Sequence, residues 1–362
     1  MLAAMLAGPL AGCGNVAYYA QAVGGHFEVM RAVRPIGDVI GDPASDPVLR
    51  KQLEGVQAIR EFASRELGLP DNNSYRSHAD IGRPYVVWNV FAAPEFSLQP
   101  KSWCMLMVGC VSYRGYYARE DAERLAADLR AEGYDTHVGG VAAYSTLGWF
   151  DDPVLNTFMS RGTLEVARIV FHELAHQVVF VKDDTPFNES FAAAVENEGV
   201  RRWTADSASS GQRAAFEAQR ARKAAFAGLM QDYRKKFQTL YATEDTSDQL
   251  RHAKAGLIEA LRRDYAGLKA ALGGHAGYDK LLGAEFNNAT LVSFSVYSEW
   301  VPAFEALLTQ ENHDLPRFYR RVAALAALDK EARCRALAGL LPPSGDKAQA
   351  HNCLIAGTTG IR

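Results

Sequence analysis

The stretch from Thr163 to Val181, TLEVARIVFHELAHQVVFV, constrains this chain more than any other. It has almost no polar face, so as a helix it belongs in an interior. Within it, Phe171-His172-Glu173-Leu174-Ala175-His176-Gln177 contains the pattern H-E-x-x-H. One helical turn places His172 and His176 on the same face, where two imidazole nitrogens can bind a single Zn²⁺ at about 2.0–2.1 Å. Glu173, beside the first histidine, is placed to reach a water on such an ion and act as general base. A zinc used for hydrolysis also needs a third protein ligand and an open fourth position.

The following residues supply the candidates. Lys182 to Thr185 reads as a polar turn, and Pro186 stands where a second helix begins. That helix carries Phe187-Asn188-Glu189-Ser190-Phe191-Ala192 and then Glu196 and Glu198. Helices joined by so short a turn pack antiparallel. Counting outward from the turn sets the midpoint of the two histidines opposite about Ala193, with Glu189 and Glu196 one turn to either side. Spacing leaves both open as the third ligand.

The charge balance, 39 Lys+Arg against 42 Asp+Glu for a net −3, argues against a nucleic-acid partner. With 48% apolar residues the chain can bury a sizeable core, and no run reaches the eighteen or more apolar residues of a membrane-spanning helix. The N-terminus reads differently. MLAAMLAGPLAG leads through Leu10-Ala11-Gly12 into Cys13, the pattern of a lipoprotein signal that is cut before an acylated cysteine, although no Lys or Arg precedes it. Residues 1–12 are then a signal peptide, the alternative being an N-terminal hydrophobic helix that packs on the domain, and Cys13 carries the lipid that ties the protein to the membrane of a bacterial envelope, facing the periplasm. Gly14 after the cysteine fits an outer-membrane destination better than Asp would. The remaining four cysteines pair most simply as Cys104 with Cys110 and Cys334 with Cys353, which an oxidising periplasm permits.

Along the chain, a turn-rich stretch is followed by Ser45-Asp46-Pro47, a cap and N1 proline for a helix with apolar residues at Leu49, Leu53, Val56, Ile59 and Phe62. Arg83 to about Val111 reads as strands, Glu120 to Glu132 as a short helix and Thr136 to Leu147 as another extended run. Beyond residue 160 the chain is helical. Ala205 to Leu272 reads as a helical hairpin broken at Thr243 to Ser247, either a solvated extension or an arm for a lid or partner. Strands first and helices afterwards give an α+β fold. Its regions are residues 13–160, a metal-binding helix pair at 161–204, the hairpin at 205–272 and a helical segment at 273–362, with 13–160 and 161–362 forming one catalytic body.

HELAHQ followed by FNESFA resembles the paired signature of gluzincin aminopeptidases, H-E-L-A-H-Q and L-N-E-G-F-A. That resemblance implies a zincin-like fold and Glu189 as the third zinc ligand, with Glu196 in a supporting role. The connector to Glu189 is shorter than in those enzymes, and their amine-binding G-x-M-E-N segment is absent before HELAHQ. RPYVVWNVFAAPEFSL, GCVSYRGYY, GGVAAYSTLGWFDDPVLNT and NNATLVSFSVYSEWVPAF resemble proteobacterial lipoproteins described as predicted aminopeptidases, over nearly the whole mature chain.

Zincins commonly bind substrate along an edge strand, for which Gly139 to Phe150 is the candidate. Tyr297 is the first candidate for stabilising the oxyanion, with Tyr233, Tyr241, Tyr265, His275 and Tyr278 competing. Tyr113-Arg114-Gly115-Tyr116-Tyr117 reads as an aromatic and cationic wall or as a buried cluster. The expected activity is zinc-dependent hydrolysis of a peptide or protein substrate. The alternatives are an envelope endopeptidase, and a non-catalytic zinc lipoprotein that docks a partner through 205–272.

Overall fold

In the computed structural model the described residues are 10–105, 109–207, 210–295 and 300–341. They form a mixed α+β structure dominated by helices, with small sheets. The N-terminal half comprises α1 (Leu10–Arg31), β1 (Val33–Pro35), α2 (Ile36–Gly41), α3 (Pro47–Arg65), β2 (Ser77–Ala79), β3 (Val87–Pro94), β4 (Trp103–Met105), β5 (Gly109–Val111), β6 (Arg114–Tyr116), α4 (Arg119–Ala131), β7 (Tyr134–Val141) and β8 (Val154–Leu155). The helical half comprises α5 (Asn156–Met159), α6 (Thr163–His176), α7 (Thr185–Ser207), α8 (Ser210–Tyr241), α9 (Ser247–Ala271), α10 (Asn288–Ser295), α11 (Val301–Gln310), α12 (Leu315–Ala326) and α13 (Lys330–Leu340). No helix among the described residues is long and apolar enough to cross a membrane.

The capping reading of α3 holds: the Asp46 side chain accepts from the backbone N–H of Val48 and Leu49, and Pro47 opens the helix. The stretch before it differs from its turn-rich reading, because α1 occupies most of it. This helix lacks the charged face by which surface helices are recognised, and Gly24-Gly25 lies inside it. Gly25 is required there. A Cβ would stand 2.1 Å from the Tyr117 ring, so α1 can lie against that ring only with glycine.

The sheet that matters for the site is β6-β3-β7, antiparallel throughout, with β3 in the middle and β7 as an outer strand paired from Val87↔Val141 to Pro94↔Tyr134. Alternation sorts the residues of β3. Val90 and Ala92 face α4, where they pack with Ala122, Ala126 and Leu129, whereas Asn89 and Phe91 face the cavity beside α6 and α7. Gly139 to Phe150 is not one strand: β7 ends at Val141, and the residues beyond it form a loop. The disulfide Cys104–Cys110 closes the β4-β5 hairpin across directly opposed residues. Cys353, Tyr297 and residues 1–9 lie outside the described residues.

Two cores carry the helices. In the larger, α3, α6, α7, α11 and α12 bury residues such as Phe62, Phe171, Phe187, Phe191, Phe304 and Phe318. The second is built by the hairpin itself. Phe226, Met230, Tyr233 and Phe237 of α8 meet Leu261 and Tyr265 of α9, and Leu291 and Val292 of α10 complete the cluster. Polar contacts dock it on the sheet: Lys254 Nζ meets Asp135 at 2.6 Å, and Asn288 Nδ2 donates to the carbonyls of Pro94, Glu95 and Ser97. The hairpin is therefore a wall of the body, neither a solvated extension nor a free arm.

The close approach of α6 and α7 hinges on one small residue. A Cβ on Gly199 would come within 2.7 Å of the Phe171 ring and 2.8 Å of Leu67. Gly199→Ala is expected to lower unfolding free energy by about 1–3 kcal/mol through overpacking. Gly228→Ala in α8, where nothing lies within 4 Å of the added methyl, is expected to raise it by up to about 1 kcal/mol. Chemical denaturation of the two variants beside wild type measures both.

Candidate metal centre

α6 delivers His172, Glu173 and His176 from an interior helix whose other face packs with Val166, Ala167, Val170, Phe171 and Leu174 in the core. Its C-terminal end is tied to the 70–75 loop, since Gln177 accepts from Asn72 Nδ2 at 2.7 Å and donates to Ser74 Oγ at 3.3 Å. That loop is itself held by the buried Arg60, which donates to the carbonyls of Pro70, Asn72 and Ser74.

The connector to α7 is short and clamped. Asn188 donates to the Val181 carbonyl and accepts from the Val181 N–H, both at 2.8 Å. Asp184 accepts from Phe187 N at the helix start and pairs with the buried Arg333 at 2.8 Å. Asp183 accepts from Cys110 N at 2.5 Å, which latches the disulfide hairpin to this connector.

With the turn fixed, the two glutamates that spacing leaves equivalent take different positions. The Glu189 carboxylate lies between the imidazoles, 3.2 Å from His172 Nε2 and 3.7 Å from His176 Nε2. One ligand atom from each of His172, His176 and Glu189 falls within 4.8 Å of the others, so the three residues could hold a metal ion. Glu196 lies on the other side of the His172 ring and accepts from Nδ1–H at 3.1 Å. It also receives Arg168 Nε at 2.5 Å and Lys223 Nζ at 3.6 Å, the latter from α8. Both ring nitrogens of His172 therefore face carboxylate oxygens, so the ring protonated on both donates to Glu196 from Nδ1 and to Glu189 from Nε2, and a metal ion at Nε2 would take the place of the second proton.

Protonation equilibria reflect that demand. Burial alone would lower the pKa of His172, yet its hydrogen bonds to Glu189 and Glu196 outweigh burial and push it up to about 10. His176 has no such pair of acceptors and burial takes it down to about 4, leaving a neutral ring whose Nδ1 has no protein partner. Burial works against Glu196, but Lys223, His172 and Arg168 hold it well below the usual carboxylate range. Burial raises Glu173 to about 7, with His172 opposing the rise and Glu189 adding to it. Among the described residues no hydrogen bond or ion pair engages the Glu173 carboxylate.

Two chambers meet at Glu173 and His172. The larger, about 510 Å³, runs past the Gly139–Val141 edge of β7 and is bounded by Arg161, Arg168 and Lys223. The smaller, about 330 Å³, is aromatic, with Tyr18, Tyr113, Tyr117 and Tyr144 around His172, Glu173, His176 and Glu189. Three of these tyrosines are occupied: Tyr18 donates to the Met105 sulfur, Tyr144 meets His26 Nδ1 at 2.9 Å, and Tyr117 hydrogen-bonds Tyr144. Tyr113 has no hydrogen-bond partner among the described residues. Burial raises its pKa, and the charges of Glu189 and Glu173 raise it further. Tyr297 lies outside the described residues, and the rival Tyr233, Tyr241 and Tyr265 hydroxyls are occupied by Asp264, Asn288 and Asp279. Tyr278 stacks on Phe226 and, like His275, lines a small space beside the hairpin core. Sequence reading notices Tyr113 as part of an aromatic run; its approach to the metal helices needs the β5–β6 turn.

No curated protein and no solved structure matches the chain. A family model described as "Putative aminopeptidase" matches residues 17–337, a span that contains both chambers and all of the residues around them. The chain belongs to that aminopeptidase family.

Proposed function

We propose that the protein is a zinc-dependent peptide hydrolase of the bacterial envelope, held at the membrane by a lipid on Cys13. The observation that carries this reading is the convergence of His172 Nε2, His176 Nε2 and the Glu189 carboxylate on one point, with the Glu173 carboxylate left free beside it. Two imidazoles and one carboxylate suit zinc best among the common divalent ions. When bound, the zinc polarises the peptide carbonyl and lowers the pKa of a water to about 7.

The chain's own residues do the rest. Glu173 takes the proton of the attacking water at its unengaged carboxylate and passes it to the departing amine, a role suited to a group raised toward neutrality by burial. Tyr113 donates its free hydroxyl to the oxygen on which charge develops. The outer edge of β7 at Gly139–Val141 aligns the peptide through main-chain hydrogen bonds. Its beginning is already taken, because Asn287 Nδ2 donates to Thr136 O. Glu196 keeps His172 in the tautomer that presents Nε2.

One observation favours endopeptidase over aminopeptidase action within this reading. An aminopeptidase needs an acidic group to receive the substrate's α-amine. Among the described residues, and apart from Glu173, the acidic groups lining the chambers are engaged: Glu165 and Glu196 with Arg168, Asp184 with Arg333, Asp183 with Cys110 N, and Glu189 with the histidines. The chambers also continue on both sides of Glu173, leaving room for chain in both directions. Parallel assays on free and N-acetylated peptides decide between them; equal cleavage establishes the endopeptidase.

Glu173→Gln is expected to retain about one zinc per chain by elemental analysis and to lose at least about a thousandfold in kcat, whereas His176→Ala loses the metal itself. A Glu173→Gln variant as active as wild type would overturn the mechanism. For Tyr113→Phe the expectation is a kcat about a hundredfold lower with KM and zinc content nearly unchanged, the signature of a contact made only in the transition state. Glu196→Gln is expected to weaken zinc about 10- to 100-fold in a chelator competition while leaving the ligand set intact.

A further inference from the structure

α1 has two faces, and only one of them is explained by the fold. Its inner face packs on the smaller chamber: Tyr18 and Ala22 line it, Gln21 bonds Gly115 O and Tyr117 N, and Gly25 abuts the Tyr117 ring. The outer face of a surface helix is ordinarily polar. Here it carries Val16, Val23 and Phe27, which are 70%, 54% and 59% exposed. The spacing i, i+7, i+11 puts all three on one stripe. No Asp, Glu, Lys or Arg occurs from Leu10 through Phe27. The stripe is extended by the loop after β7, where Trp149 and Phe150 are 70% and 54% exposed. The Phe150 ring lies 4.7 Å from that of His26, the neighbour of Phe27 on α1.

We infer that this face, Val16, Val23, Phe27, Trp149 and Phe150, docks on the surface of a phospholipid bilayer, with α1 lying in the plane of the interface. The placement of Cys13 selects lipid over other occupants. It precedes Val16 on α1 by three residues, about 4.5 Å along the helix axis, so acyl chains there bring the stripe to the membrane. Aromatic and aliphatic side chains on an uncharged helix face are the composition that partitions into the headgroup and upper acyl region. Because the opposite face of α1 lines the smaller chamber, docking sets that chamber close to the bilayer, which favours peptide segments presented near the membrane surface. The inference rests on the lipid-anchor reading above.

The test separates the two. The mature chain, residues 13–362 with Cys13→Ser, which cannot be acylated, is floated with vesicles of phosphatidylethanolamine containing phosphatidylglycerol. It is expected to bind, and Phe27→Ser with Trp149→Ser in the same chain should weaken partitioning at least about tenfold. Zinc content and far-ultraviolet circular dichroism should stay unchanged, since both side chains are exposed. Absence of vesicle binding by the Cys13→Ser chain, or binding that the double variant leaves undiminished, overturns the inference. Self-association in sedimentation velocity that the double variant abolishes, without vesicle binding, assigns the face to a second copy and also overturns it. The intact mass of the wild-type chain from bacterial envelopes reports on Cys13 acylation independently, so loss of the anchor reading is visible whatever the vesicles show.

Discussion

How closely α7 can lie on α6 decides where every charged group of the site ends up. Ala192 and Ala194 of α7 are fully buried in the core that α6 shares, and at Gly199 a single methyl would meet Phe171 and Leu67. The Asn188 clamp on both polar groups of Val181 then sets the length of the turn, so α7 cannot slide by a turn without losing two short hydrogen bonds in a part-buried place. At that register Glu189 falls between the imidazoles and Glu196, two turns further along α7, falls behind His172. The geometry of the candidate metal site is thus a consequence of helix packing.

The same packing explains how four neighbouring carboxylates acquire different properties without different chemistry. Glu165 and Glu196 share Arg168, and Lys223, His172 and Arg168 together hold Glu196 well below the usual carboxylate range. Glu189 is surrounded by the two imidazoles, which lower its pKa against the opposing effect of burial. Glu173 alone is buried without a donor, and its pKa rises to about 7. Environments that push the pKa values of like groups apart are how a site distinguishes a ligand, a support and a base. Lys223 also makes the hairpin a participant, because the cation that stabilises Glu196 comes from α8.

Much of this was legible in the residues. H-E-x-x-H, the Asp46 cap of α3, the span of α4 and the strand character of β3 follow from local periodicity and turn chemistry, which act within a few residues. Local rules could not choose between Glu189 and Glu196, since both sit one turn from the midpoint; the Asn188 clamp chose, and it depends on a side chain folding back on the preceding turn. α1 was missed because its stability comes from Tyr117, Tyr144 and Arg114 beneath it, far along the chain, and its sequence lacks the charged face of a surface helix. Tyr113 was seen only as part of an aromatic run, because a strand pairing and a disulfide turn bring it to the metal helices.

These long-range ties also explain why the strand half and the helix half cannot act separately. The Asp183 carboxylate binds Cys110 N, so the disulfide hairpin is fastened to the connector whose length sets the Glu189 register. Three residues beyond Cys110 the chain reaches Tyr113, and β6 then pairs with β3, whose Asn89 and Phe91 line the chamber on the opposite side of His172. A displacement of the hairpin would therefore move a chamber wall and loosen the α6–α7 turn together. The strands line the chambers and the helices carry the residues of the candidate metal site; Asp183, Lys223 and Lys254 are the contacts through which each half holds the other in register.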